Sequence, residues 1–126
     1  MLRGSNLIAF IATKDGARAR GFYERVLGLR FVSEDDFALV FDVDGMQLRI
    51  QKVRELTPQP HTVLGWSVRS IDKVVKGFES KGIQFERYGF LTQTEGGIWN
   101  SPSGARIAWL KDPDGNLLSI TELPRD

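Results

Sequence analysis

Gly28-Leu29-Arg30-Phe31 returns as Gly82-Ile83-Gln84-Phe85, a glycine–aliphatic–polar–phenylalanine string at an offset of 54 residues. In both places the glycine closes a segment of helical periodicity, as its access to positive φ suits the residue that stops a helix. Ahead of Gly28, residues Ala19, Phe22, Tyr23, Val26 and Leu27 fall at i, i+3, i+4, i+7 and i+8, one face of an α-helix. Asp15 stands where a side chain can accept from the first free N–H groups of that helix. Ahead of Gly82, residues Ile71, Val74, Val75 and Phe78 repeat the spacing, with Asp72 close to the helix start.

Strand patterns surround both helices. The run Leu7-Ile8-Ala9-Phe10-Ile11-Ala12 is short and apolar and predicts a buried strand before the first helix. After it come Leu29–Val32, Phe37–Phe41 and Met46–Gln51, the last two joined by Asp44-Gly45, the residue pair of a type I′ hairpin. Along Met46–Gln51, residues Leu48 and Ile50 face one side, while Gln47, Arg49 and Gln51 face the other. Arg54 to His61 carries Pro58 and Pro60 and reads as a linker. A strand over Thr62–Val68, the second helix, Ile83-Gln84-Phe85, Gly96-Gly97-Ile98-Trp99, Ala105–Leu110 and Leu117–Thr121 then repeat the order. Turns at 101–104 and 112–115 separate the last strands. Equal element order at a fixed period predicts an internal duplication of one βαβββ unit, an α+β fold. The modules are placed at about 5–54 and 61–123 of a single domain covering 1–126.

Composition narrows the function classes. With 17 basic and 16 acidic side chains the net charge is +1, which gives no electrostatic case for nucleic acid or an anionic membrane as partner. There is no cysteine, so disulfides, thiolate nucleophiles and cysteine metal sites are excluded together. One histidine leaves no nucleophilic triad, and no phosphate-binding glycine loop is present. No run approaches the roughly 18 apolar residues of a membrane span, and the first residues lack the pattern of a signal peptide, so a cytoplasmic protein is expected. The acidic run Glu34-Asp35-Asp36 reads as a solvated loop, and Asp112-Pro113-Asp114-Gly115 as turn chemistry before any catalytic pair.

Two strings carry a family resemblance. Asp15 with Ala17-Arg18-Ala19-Arg20-Gly21-Phe22-Tyr23 and Val26-Leu27-Gly28-Leu29, and later Lys111-Asp112-Pro113-Asp114-Gly115-Asn116, resemble the vicinal oxygen chelate superfamily over essentially the whole chain. That group includes glyoxalase I, extradiol dioxygenases, fosfomycin-resistance enzymes and bleomycin-binding proteins. The resemblance implies two βαβββ modules forming an open eight-stranded barrel-like cavity that holds a small organic ligand, in a chain that pairs into a homodimer. Fold carries function only weakly, and this one hosts enzymes and pure binders alike.

Metal-using members of the group place His, Glu or Gln on the first and last strands of each module, donors suited to divalent cations. Carried over by position, those places hold Asn6 to Ile8, Arg49, Val63 and Ser119, the last of these four residues after Gly115. None is a good ligand, and a guanidinium beside a divalent cation is unfavourable. A shifted register would bring in Gln51, His61 and Glu122 as an alternative set, although a shift of one residue turns a strand side chain to the other face. His61 follows Pro60 and reads as a surface residue. No cofactor is therefore expected, with a divalent metal as the alternative.

The remaining candidates are aromatic and polar. Trp66, Trp99 and Trp109, with Phe37, Phe41, Tyr88 and Phe90, offer rings for stacking. The resemblance places Trp66 on the helix side of its strand, in the core. Trp99, Trp109 and Ser119 with Arg49 and Gln51 form the expected ligand-binding set, an apolar surface with a few polar anchors. The preferred expectation is a metal-independent small-molecule binding protein. The alternatives are a metal-dependent lyase or dioxygenase with an unusual ligand set, and a duplicated dimerisation module without ligand chemistry.

Overall fold

The computed structural model describes residues 1–125. The chain divides into two compact units, Met1–Pro58 and Gln59–Asp126. The first runs β1 (Ile8–Thr13), α1 (Gly16–Gly21) with a π-helical continuation (Phe22–Val26), β2 (Arg30–Glu34), β3 (Ala38–Val43) and β4 (Met46–Lys52). The second runs β5 (Leu64–Ser67), α2 (Ile71–Glu79), β6 (Trp99–Asn100), β7 (Arg106–Lys111) and β8 (Leu117–Glu122). Each unit is thus βαβββ with one four-stranded mixed sheet, ordered β1-β4-β3-β2 and β5-β8-β7-β6. In both sheets the first strand pairs in parallel with the last, and the other pairings are antiparallel.

The first helix begins where the sequence places it. Asp15 is extended at φ −142°, and its carboxylate accepts from Arg18 N at 3.1 Å. Thr13, fully buried, accepts from Asp15 N and donates to Asp15 O, both at 3.0 Å, which fixes the turn from strand to helix. The helix then widens, with Leu27 N donating to Phe22 O at 2.9 Å, before Gly28 ends it at φ 75°. This widening rotates the last turn. Ala19, Phe22 and Tyr23 are buried, whereas Val26 and Leu27 of the same expected face are only half-buried. Their partners are the helix-facing residues Ile11, Leu39, Phe41, Leu48 and Ile50, all buried. Tyr23 and Phe41 meet with ring centroids 6.1 Å apart, and Phe31 meets Phe41 edge-on at 5.6 Å. Asp44 and Gly45 take φ 51° and 87°, as a type I′ turn requires.

Three expectations need correction. β1 is an edge strand and not a buried one: Ile11 and Thr13 are covered, but Ile8 and Phe10 on its other face are 45% and 53% exposed. The acidic run is more than a solvated loop. Asp35 accepts from Phe37 N and Ala38 N at 2.8 and 2.9 Å, and Glu34 pairs with Lys52 at 2.6 Å. Those backbone hydrogen bonds, chiefly, hold the Asp35 carboxyl below the usual carboxylate range. Asp72 stands in the first turn of α2, close to the helix start as expected, and Ser70 is the side-chain cap, accepting from Lys73 N at 3.4 Å. Lastly, Ile83-Gln84-Phe85 carries the repeat string yet forms no strand, and the edge of the second sheet is the two-residue β6.

Side chains replace the missing ladder. The Gln93 amide donates to Glu86 O and Gly97 O at 2.9 and 2.8 Å and accepts from Tyr88 N at 2.9 Å. The Arg87 guanidinium donates to Thr94 O and Glu95 O. With these backbone groups satisfied, the segment needs no strand partner. Gly97 lies at φ 93°, and a Cβ there would stand 2.8 Å from that of Phe85, so glycine is required for this close approach.

Candidate functional site

Each sheet has a face packed on its helix and a face its own helix leaves open. The open face of the first sheet follows from register. Gln47, Arg49 and Gln51 of β4 lie beside Ile8, Phe10 and Ala12 of β1, and beside Asp42, Val40 and Ala38 of β3. Arg49 is half-buried, and its Nη1 donates to Gln47 Oε1 at 3.3 Å. Asp42, the nearest carboxylate in the pattern, is 3.7 Å from Arg30 instead. Arg49 and Gln51 therefore share a face, with Gln51 exposed.

On the second sheet Ser119 lies between Gly65 of β5 and Trp109 of β7. A Cβ on Gly65 would run into Ser119 Oγ, so the hydroxyl lies over a residue without a side chain. Trp99 of β6 sits opposite Ile107, two residues from Trp109 on the same face. The two indoles are 6.1 Å apart at an interplanar angle of 32°. Tyr88 abuts Trp109 edge-on at 5.5 Å, and Phe90, 83% exposed, extends the run at 5.7 Å from Tyr88. Burial, and secondarily Glu86, push the Tyr88 phenol up, so it stays a neutral donor at physiological pH. The fold thus gathers Trp99, Trp109 and Ser119 on one surface, while Arg49 and Gln51 lie on the first sheet. Tyr88, one of the candidate rings but outside the expected ligand-binding set, joins Trp109 through an irregular segment that no periodic reading places. Trp66 lies beside Ile120 on the other, helix-packed face, and is half-buried there.

The places to which the resemblance assigns metal ligands do not suit a cation. Ile8 and Val63 are hydrocarbon, Arg49 is cationic, and the Ser119 hydroxyl is a poor neutral donor. The alternative set, Gln51, His61 and Glu122, has suitable donor types, but Glu122 is engaged elsewhere and His61 is exposed. Glu122 faces the helix: its Oε1 accepts from Ile71 N at 3.1 Å and its Oε2 is 4.0 Å from Arg106. It serves the first turn of α2, where a carboxylate also complements the helix dipole. His61 is exposed, its Nδ1 3.3 Å from Thr62 O. Among the described residues no three His, Asp or Glu side chains cluster as a metal site.

Two βαβββ units, each with a parallel first-to-last strand pairing, define the glyoxalase and bleomycin-resistance type of fold. The chain belongs to the Glyoxalase/Bleomycin resistance protein/Dioxygenase superfamily, whose family model matches residues 6–120. Its fold is similar to that of a bleomycin resistance determinant encoded on transposon Tn5, at 21% identity and TM-score 0.74, covering 94% of this chain and 98% of that one. It is also similar to a glyoxalase family protein from Bacillus anthracis, at 17% identity and TM-score 0.74, covering 94% of both chains. A lactoylglutathione lyase from Agrobacterium tumefaciens aligns at 18% identity and TM-score 0.73, over 94% and 92% of the two chains. At these identities the likeness is one of fold alone. No curated protein matches the chain. Among the described residues no helix is long and apolar enough to cross a membrane.

Proposed function

We infer that this chain is a small-molecule binding protein that works without a metal and takes a planar, largely apolar organic ligand. One observation carries the reading: Trp99, Trp109 and Tyr88 form a continuous run of rings on the sheet face away from α2, next to the Ser119 hydroxyl. Rings held at 5.5 to 6.1 Å from each other, two of them on β-strands, are set in place before a ligand arrives. Each stacking contact with such a ring contributes on the order of 1 kcal/mol beyond its buried area. Ser119 supplies a donor and acceptor beside an otherwise apolar surface, the usual make-up of a ligand site. The donor set supports a metal-free site, since hydrocarbon and guanidinium groups stand where ligands would be needed. Pairing into a homodimer is part of the same proposal, on the strength of the family.

The test uses bleomycin, the drug in the name of the Tn5-encoded structure, because its bithiazole is a flat conjugated unit. Titration should quench tryptophan fluorescence, and Trp109→Leu should weaken binding at least about tenfold, the equivalent of ~1.4 kcal/mol. Equal binding by wild type and Trp109→Leu would refute the assignment of the surface. Metal analysis of protein purified without chelator should find far less than one transition metal per chain. Stoichiometric metal lost on His61→Ala or Glu122→Ala would favour a metal-dependent lyase or dioxygenase instead.

A further inference from the structure

We propose that the open face of the first sheet is an anion site, with Arg49 as the counter-charge for a small organic molecule bearing a carboxylate or phosphonate on an apolar body. The inference deepens the small-molecule reading and rests on it, but it draws on a different sheet and different residues.

Arg20, Arg30, Lys52, Arg106 and Lys111 each have a carboxylate within 4.0 Å. Arg49 is half-buried, and its contact among the described residues is the neutral Gln47 amide. A guanidinium presents five N–H donors in a planar fork, so most of its capacity is unused. The nearby carboxylates spend their hydrogen bonds elsewhere: Asp42 is paired with Arg30, and Asp35, which feels the Arg49 charge, accepts from the backbone of Phe37 and Ala38. A half-buried cation that feels a carboxylate only through space, with none in hydrogen-bond contact, keeps its donors for an anion that reaches it.

The surroundings set the rest of the ligand. Phe10 and Val40 flank Arg49 in register on its two neighbouring strands, and Phe10 is 53% exposed although it sits on a sheet face. Ile8, 45% exposed, continues the apolar strip along β1. Gln47 and Gln51 stand two residues to either side of Arg49 on β4, roughly 7 Å away at strand spacing. A ligand seated there would put its charge on the guanidinium, its body against Phe10, and any neutral polar group on a glutamine amide. A fully hydrated inorganic anion would leave the apolar strip unused. A neutral hydrocarbon would leave the guanidinium unmatched. The face fits a molecule with both parts.

Phenylacetate and phenylphosphonate are the probes, with neutral phenylacetamide as the isosteric control, in calorimetric titrations at low and high salt. Wild type should bind the anions roughly ten- to hundredfold more tightly than the amide, the range of a charge-assisted hydrogen bond. The difference should vanish in Arg49→Leu and in Arg49→Gln, a second variant that keeps a polar side chain, and it should shrink with salt. A preference for phosphonate over carboxylate, or the reverse, assigns the head group. Equal binding of anion and amide by wild type, or an anion preference that survives both variants, overturns the anion site while leaving the small-molecule reading intact. Silence of all three probes also overturns it. The small-molecule reading falls only if the bleomycin titration is silent as well.

Discussion

Removing one carboxylate should loosen the whole second unit. Asp112 is 6% exposed, and its Oδ1 accepts from Asp114 N and Asn116 N, each at 2.9 Å. Its Oδ2 accepts from the Asn116 side-chain amide at 2.8 Å, and Asn116 is itself buried. Those bonds close the loop that joins β7 to β8, together with Asp112 N to Asn116 O at 3.0 Å. A hydrogen bond to a charged acceptor contributes about 1.5–3 kcal/mol, and a buried donor left unmatched costs about 1–3 kcal/mol. The three are not additive, because they share one carboxylate and Asp114 can turn towards water. Asp112→Ala should therefore cost about 3–5 kcal/mol, and Asp112→Asn, which keeps one carbonyl oxygen, should cost less. Against a total stability of roughly 5–15 kcal/mol for a domain, that is a large share. Urea unfolding followed by fluorescence is the assay. All 3 tryptophans lie beyond residue 58, so the signal reports on the unit that carries the mutation. A loss of under about 1 kcal/mol for Asp112→Ala, at unchanged slope, would refute the claim that this carboxylate holds the turn.

Two further outcomes follow from the same geometry. Arg106 binds Asp72 through both nitrogens at 2.7 and 3.1 Å, and that contact holds the Asp72 carboxyl below its usual range. A carboxyl depressed in the folded state stabilises it at pH values above about 4, and that contribution is lost as pH falls through the folded-state value. The urea midpoints of wild type and Asp72→Asn should accordingly converge in acid and separate at neutral pH, and parallel curves would refute the linkage. Gly65→Ala should destabilise by about 1–3 kcal/mol through overlap with Ser119 Oγ. Pairing it with Ser119→Ala should recover most of the loss in thermal melts, and a pair no more stable than Gly65→Ala alone would place the strain elsewhere.

Local chemistry made most of the fold legible. Asp15, Gly28 and Asp44-Gly45 act within a few residues of themselves, so their roles survive any tertiary context. Alternation along β4 and β8 likewise set which side chains share a face. Ser119 and Glu122 are three residues apart, an odd step, and so they point to opposite faces of the sheet. What escaped depends on contacts that sequence spacing does not announce. The Gln93 amide satisfies backbone groups four and seven residues away, and with that support the string Ile83-Gln84-Phe85 leaves the sheet its twin joins. The same irregular path carries Tyr88 to Trp109, a pairing that no period of two or 3.6 predicts. The edge position of β1 was equally hidden, because an apolar run reads as buried whether one face is covered or two.

The duplication also explains why the two open faces differ so much while the two helix-packed faces are alike. Arg49 and Ser119 each stand four residues after a turn glycine with positive φ, Gly45 at 87° and Gly115 at 91°. Each lies on the strand that pairs in parallel with the first strand of its unit, so the two positions are equivalent in the fold. Their lateral neighbours are Phe10 and Val40 in one case, Gly65 and Trp109 in the other. On the packed faces the corresponding strands carry Leu48 and Ile50 against Leu118 and Ile120, all buried aliphatics. Close packing penalises changes of volume there, by about 1–3 kcal/mol even for added methylenes, so a duplicated core keeps its chemistry. An open face carries no such penalty. A charged fork on one sheet and a run of rings on the other are therefore the two places where the duplicated units were free to diverge, and Arg49 and Trp109 are the residues at which the proposed binding is to be measured.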